Sequence, residues 1–355
     1  MHASIVEVES NMKRINIDAL YPGDIVLTAS KSAAGKGIRA TTFAVVSHAM
    51  ICVQHGSVID STGDGVQARN LQRELFKPFE RIYAFRLREP LDPERLAQVI
   101  NFARSEVGTR YSVREAIRSV LPGKRPRERQ QFCSRLVARA YAYAGVQLVA
   151  DEDYCTPDQL RRSPLLVEIK GITETVSAEE LAAWQARPNT IAMTHAAHNA
   201  ILDGVRELDP TVENFADVDR IVQNHPEWDL RIAALFCASG YLELWKADFK
   251  ANPWHYNVEA LEAVVTAANR NEIRAYCRAM IAETISGGQR YRTMLEHHRQ
   301  SHRLVPRQTT FQLVELYDQL VRNDALLRAT AREWLERHHP EDVDAYLEQR
   351  PPTAA

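Results

Sequence analysis

Between residues 18 and 89 the apolar positions fall in short runs separated by turn residues, the pattern of β-strands. Tyr21-Pro22-Gly23-Asp24 reads as a turn before the β-rich run Ile25-Val26-Leu27-Thr28. Phe43 to Val53 is apolar enough for a buried strand, and His55-Gly56 turns the chain into the next strand from Ser57 to Asp60. A further turn is predicted at Gly63-Asp64-Gly65, and Arg81 to Leu87 alternates with period two. The period then changes. Leu96, Val99, Ile100 and Ala103 share one helical face after the start signal Asp92-Pro93. From Cys133 to Gly145 a stripe of Leu136, Val137, Ala140, Tyr141 and Ala144 predicts a buried helix that Gly145 stops. Thr156-Pro157-Asp158 starts a short helix, with Thr156 as its cap.

Strand signals end near residue 175. Helical patterns follow over 192–208, 212–224, 230–250, 258–285 and 310–338, with Pro210, Pro226, Pro253 and Gly287-Gly288 between several of them. The fold class expected is α+β followed by an all-α domain. The boundaries are an N-terminal extension (1–17), an α+β domain (18–170), a joint (171–190), a helical domain (191–350) and a frayed tail (351–355). The length of 355 residues suits two domains. The 45% hydrophobic and 25% charged content is that of a globular protein that builds its core without staples. A net charge of −2 gives no global pull toward nucleic acid or membrane. The first eleven residues lack the apolar core of a signal peptide, and 43–53 is too short to span a bilayer, so the expected location is cytoplasmic, with signal-independent secretion left open.

The candidate chemistry is thiol-based. Five widely spaced cysteines with no CxxC pair argue for a reducing compartment and against a zinc knuckle. Cys133 opens a helical stripe, where a helix N-terminus favours the thiolate and aims backbone N–H groups at a developing oxyanion. His48 is the candidate base, and Asp60 the acid that orients it. They lie twelve residues apart across the His55-Gly56 turn, an even separation that permits a shared face if the flanking strands pair as a hairpin, without requiring it. Each has a plainer reading: Cys133 and His48 as core residues, and Asp60 as a turn cap. Cys155, beside a helix start, is the rival nucleophile, but Asp151, Glu152 and Asp153 oppose a thiolate there. His195 and His198, and the group His297, His298 and His302, read as solvated helix faces, and no metal site is expected. Gly35-Lys36-Gly37 lacks the full phosphate-loop pattern. The run Lys124 to Arg129 reads as a basic surface loop near the site mouth, with steering of an anionic substrate as its functional reading.

Leu20-Tyr21-Pro22-Gly23-Asp24-Ile25-Val26, Ser47-His48-Ala49-Met50-Ile51, Val58-Ile59-Asp60-Ser61, Gly108-Thr109-Arg110-Tyr111 and Phe132-Cys133-Ser134-Arg135-Leu136-Val137, in that order, resemble the permuted papain-like amidases of the YaeF/YiiX type, within the NlpC/P60 superfamily. Thr156 to Leu160 is similar to a segment that often follows the nucleophile helix in them. The resemblance spans about residues 18 to 170. It implies a permuted papain-like core with Cys133 as nucleophile, His48 as base and no cofactor. The third polar position falls on Asp60, where relatives often carry Glu or His. Tyr111 matches a tyrosine that helps hold the oxyanion, and Ser134 is the second oxyanion or substrate position. The stretch between Tyr111 and Cys133 is longer here than in relatives.

The resulting expectation is a cysteine hydrolase that cleaves a peptide or other amide through an acyl-enzyme. The alternatives are an acyltransferase or thioesterase on lipid or lipidated substrates, since the permuted branch includes lecithin:retinol acyltransferase-like enzymes, and an effector-like module whose helical domain docks a protein partner. Neither nucleic acid nor a transmembrane segment is expected. Trp245, Trp254 and Trp334 are expected in the helical core.

Overall fold

The computed structural model describes residues 12–29, 45–112, 129–177, 179–182, 189–282 and 287–348. The chain divides into two compact units, one of residues 1–187 and 209–218 and the other of residues 188–208 and 219–355. Residues 209–218 therefore return to the first unit rather than to the helical one. The loop Lys31 to Arg39, including Gly35 to Gly37, and the basic run from Lys124 to Glu128 lie outside the described residues.

The first unit is built on a six-stranded antiparallel sheet. Its strands are β2 (Ile25–Thr28), β3 (His48–Gln54), β4 (Ser57–Thr62), β5 (Gly65–Asn70), β6 (Ile82–Leu87) and β7 (Leu166–Ile169), in spatial order β5-β4-β3-β2-β6-β7. Helix α1 (Pro93–Ser105) is capped by Asp92, and helix α2 (Cys133–Tyr143) ends at Gly145 in the left-handed region. Helix α3 (Pro157–Arg161) carries a capping box between Thr156 and Gln159.

Both faces of the sheet are covered. Ile25, Leu27, Ile51, Ile59 and Val66 pack with Leu136, Val137, Ala140 and Tyr141 of α2. Val26, Met50, Cys52, Val58 and Ala84 pack with Ile15, Leu71 and Ile172 on a second core. Two-sided burial explains the unbroken apolar run of β3, which alternation alone would not produce. The strand starts at His48, not at Phe43: Val45 to Ser47 precede it as irregular chain, and Phe43 is outside the described residues.

A second sheet has two strands. β1 (Lys13–Ile15) pairs antiparallel with β8 (Thr173–Thr175), so residues assigned to an extension and a joint form a sheet of their own. Three-residue strands are too short to show a period.

Two turns hold the chemistry-bearing segments. Gly65 has φ +88, and a Cβ there would meet the Thr109 carbonyl oxygen at 2.8 Å. This close approach lets residues 108–109 pair with Val66, whose N–H donates to Thr109 at 2.9 Å. At the other turn, Asp24 is buried, accepts the Tyr21 N–H at 2.7 Å and binds Arg86 through both oxygens at 2.8 and 2.6 Å. The Tyr141 hydroxyl on α2 donates to the Gly23 carbonyl of the same turn.

The second unit is helical: α4 (Thr190–Arg206), most of α5 (Phe215–Asn224), α6 (Asp229–Ala238), α7 (Leu244–Ala251), α8 (Val258–Val264), α9 (Arg270–Ile281), α10 (Gly288–Leu304), α11 (Gln308–His338) and α12 (Pro340–Glu348). The predicted run 230–250 breaks at Gly240, which has φ +75, and 258–285 breaks after Val264. Asp229 caps α11 from outside it, accepting the Gln308 and Thr309 N–H groups at 2.7 and 3.0 Å where Arg307 offers no side-chain cap. Trp334 is fully buried in the core of α8, α9 and α11, with Trp254 packed against it. Trp245 is half-buried, edge-on to Phe249. No helix among the described residues is long and apolar enough to cross a membrane.

Tyr141→Phe should destabilise the protein by about 1–3 kcal/mol, because it strands a buried carbonyl while leaving the ring packing intact. Urea unfolding followed by circular dichroism measures this; a midpoint equal to that of the parent would show that the Gly23 contact contributes nothing.

Candidate thiol–imidazole–carboxylate site

His48 and Asp60 are placed by one hairpin. β3 and β4 pair with Met50 opposite Asp60, which puts His48 on the diagonal from Asp60, within reach of a long side chain. The His48 Nε2 to Asp60 Oδ2 distance is 2.7 Å. A bulge between Cys52 and Gln54 lies inside the twelve-residue span, so counting from the turn alone does not give this register.

Asp60 is 1% exposed and has a second partner. The Arg69 Nε donates to both carboxylate oxygens at 2.8 Å, and its Nη2 donates to the Thr62 hydroxyl at 3.1 Å. Burial alone would raise the Asp60 pKa; the hydrogen bond and charge of His48, then those of Arg69, hold it below the usual carboxylate value. Arg69 is absent from the sequence reading, although a signal for it exists. The tight turn at Gly63-Asp64 pairs Thr62 with Gly65 and Asp60 with Gln67, so Arg69 falls on the diagonal.

The thiol comes from the start of α2. Cys133 is buried at the first helical position, after an extended Phe132 that makes no side-chain cap. The first-turn N–H groups are therefore not taken by an N-cap side chain. Burial disfavours the imidazolium, but Asp60 and then Cys133 outweigh it and push the His48 pKa up to about 10.

The approach to α2 is pinned by pairing with the segment before it. Gln131 N–H donates to Arg110 at 3.1 Å, Ser112 N–H donates to Gln131 at 2.9 Å, and Tyr111 bridges Gln131. The Tyr111 pKa is raised by burial and then by the Cys133 charge. Ser134 is buried, and its hydroxyl donates to the Cys155 carbonyl at 2.7 Å. Arg135, also missed from sequence, is fully buried. Its guanidinium lies 4.5 and 4.9 Å from the Phe132 and Tyr154 ring centres and donates to the Asp153 and Gln130 carbonyls at 2.7 and 2.8 Å.

Cys155, the rival nucleophile, is 1% exposed. Its thiol donates to the Ser134 carbonyl at 3.3 Å, and burial pushes its pKa up to about 12, so it lacks the thiolate character of a nucleophile. Burial likewise raises the Cys52 thiol. Of the basic run before α2, Arg129 is described, paired with Asp217 at 2.7 Å.

The histidines of the helical unit do not all lie on solvated faces. His298 is 3% exposed and stacked on Tyr317, and burial lowers its pKa to about 4. Asp219, His297 and His298 bring their ligand atoms within 4.8 Å of one another, as do His339, Glu341 and Asp342. These are the metal-competent groupings among the described residues. In the second, Asp342 is bound to Arg274 at 2.6 Å.

Residues 19–179 match the family described as permuted papain-like amidase enzyme, YaeF/YiiX, C92 family. The resemblance carried by the motifs is borne out over that stretch. A curated relative is the probable lipoprotein peptidase YaeF of Escherichia coli K12, 28% identical over 106 residues; the match covers 30% of this chain and 38% of that protein's length. A solved structure, the metalloprotein yiiX of Escherichia coli O157:H7, aligns with 16% identity and a TM-score of 0.32 over 42% of this chain and 96% of that one.

Replacing Cys133 by Ala removes two of the contributions that raise His48, so the imidazole should titrate below the parent's value of about 10 when followed by NMR of the ring. His48 titrates higher when folded than its ordinary 6.5, so its stabilisation is complete below pH 6.5 and is lost as pH rises toward about 10. That loss should shrink in the Cys133→Ala protein.

Proposed function

We infer that the first unit, a permuted papain-like amidase domain over residues 19–179, is a cysteine hydrolase that cleaves a peptide or related amide through an acyl-enzyme. The observation that carries this reading is the His48 imidazole, 2.7 Å from the buried Asp60 carboxylate, with Asp60 and then Cys133 both raising its pKa. That is the connectivity a base needs to take a thiol proton and keep its own orientation.

In the proposed reaction His48 holds the Cys133 proton, and the thiolate attacks the carbonyl carbon. The C–O π pair moves to oxygen, and the oxyanion lies against the first-turn N–H groups of α2. The C–N bond then breaks, the electron pair leaves on nitrogen, and His48 delivers its proton to the departing amine. Water attacks the resulting thioester with His48 as base, which releases a carboxylic acid and the free thiol. Asp60 fixes the tautomer throughout. Tyr111, whose backbone bridges Gln131 just before α2, is a proposed oxyanion donor through its hydroxyl. Ser134 contributes through its N–H, since its hydroxyl is spent on Cys155. Transfer of the acyl group to an amine or hydroxyl uses the same steps with a different acceptor in place of water.

Limited alkylation by iodoacetamide at pH 7 should modify Cys133 first, and His48→Ala should slow that modification by about 10²-fold. Peptide mapping by mass spectrometry reads both; Cys155 labelling ahead of Cys133 would sink the assignment. A panel of peptide amides, acyl thioesters and phospholipids should give amide turnover that Cys133→Ala abolishes. Phospholipid turnover without amide turnover would move the activity to acyl-lipid chemistry.

A further inference from the structure

Arg69 lies on the edge strand β5, directly opposite Val58, yet its head group does not stay over Val58. It reaches along β4 to Asp60 and Thr62. The Nε fork covers both oxygens of the acid at 2.8 Å, while Nη2 is tethered to the Thr62 hydroxyl. The carboxylate is thus held on one side by a group that never loses its charge and on the other by the imidazole.

We propose that Arg69 is a positioning residue of this site, clamping Asp60 and balancing its charge so that the acid orients His48 without overbinding its proton. The proposal rests on the reading above, in which Cys133 and His48 are nucleophile and base. The charge count gives the reason. With the thiolate and imidazolium formed, Asp60 and Arg69 bring the buried group of four to zero. Without Arg69 the same set carries a net negative charge beside a thiolate, which raises the cost of forming it. The surrounding charges do not substitute: Arg69 faces Asp60 on β4, Asp64 in the hairpin turn and Glu74 beyond β5, all acidic. His48 faces Asp60 and Cys133, and Tyr111 faces Cys133.

The test uses the full chain and the rate of Cys133 alkylation by iodoacetamide from pH 5 to pH 11, which needs no knowledge of the substrate. The thiolate–imidazolium pair gives a plateau, and a further rise marks loss of the His48 proton. Arg69→Gln should lower the plateau about 10- to 100-fold, the range a loosened supporting contact costs, and move the upper inflection to higher pH. Arg69→Lys keeps the charge and loses the fork, so it should hold the inflection near the parent's position while the plateau falls about tenfold. A purely structural Arg69 would shift the unfolding midpoint and leave both profiles superimposed on the parent's, and that result overturns the proposal. If Arg69→Gln does not fold, Arg69→Lys decides the matter: a plateau and inflection both equal to the parent's rule out the clamp. His48→Ala run alongside separates the two failures, because a Cys133 that stays fully reactive without His48 defeats the site reading itself.

Discussion

The buried carboxylate of Asp60 is the constraint around which the site is arranged. An ionised acid at 1% exposure is tolerable only if its lone pairs are filled by donors, and here the donors come from the strands on either side. β3 supplies His48 and β5 supplies Arg69, each on a diagonal from β4. A slip of one residue in either pairing would turn one partner to the opposite face and strand the charge. The register of three strands and the ionisation of one acid are therefore a single requirement.

The rest of the first unit brings a thiol to that pair. α2 is fastened to the sheet by an apolar stripe and fastened at its C-terminal end by the Tyr141 hydroxyl on the Gly23 turn. Its N-terminal end is held by other means. Gln131 pairs with the backbone on both sides of Tyr111, Arg135 gathers the Gln130 and Asp153 carbonyls, and Ser134 and Cys155 exchange hydrogen bonds. The position of Cys133 is thus fixed by polar groups where the site begins and by apolar packing further along. That division leaves the first-turn N–H groups of α2 clear of an N-cap side chain.

What the chain discloses in advance follows from the range of the forces involved. Local signals were legible: the Asp92 and Thr156 caps, the Gly145 stop and the His55-Gly56 turn all stand where residue type alone puts them. The two-sided burial of β3 was legible as an unbroken apolar run. Contacts set by register or by distant pairing were not. The three-residue strands β1 and β8 meet across most of the first unit and carry no period. The bulge in β3 hides the His48–Asp60 diagonal from simple counting. Arg135 looks like any helix-surface arginine until the aromatic rings and carbonyls that surround it are assembled. In the helical unit, Gly240 divides a run that periodicity joins, because a left-handed residue leaves the hydrophobic spacing on either side undisturbed. His298 reads as a polar surface residue, and only its stacking on Tyr317 from α11 makes it core.

The order of the pieces along the chain has a physical consequence. His48, Asp60 and Arg69 lie within residues 48–70, inside two consecutive tight hairpins, so they form one local unit. Cys133 lies more than sixty residues later and reaches that unit through the packing of α2 on the sheet. A hairpin pair gains its contacts after closing short loops, whereas docking α2 must close a long one, at an added entropic cost that grows slowly with loop length. The acid–base pair can therefore be complete before the thiol arrives, and the reacting geometry is decided by how α2 seats on the sheet. It follows that substitutions at the α2–sheet contact should act on the thiol's reactivity by moving the thiol itself, while those on the hairpins act on it through the imidazole. The two halves of the site are separable in sequence because they are held by different forces.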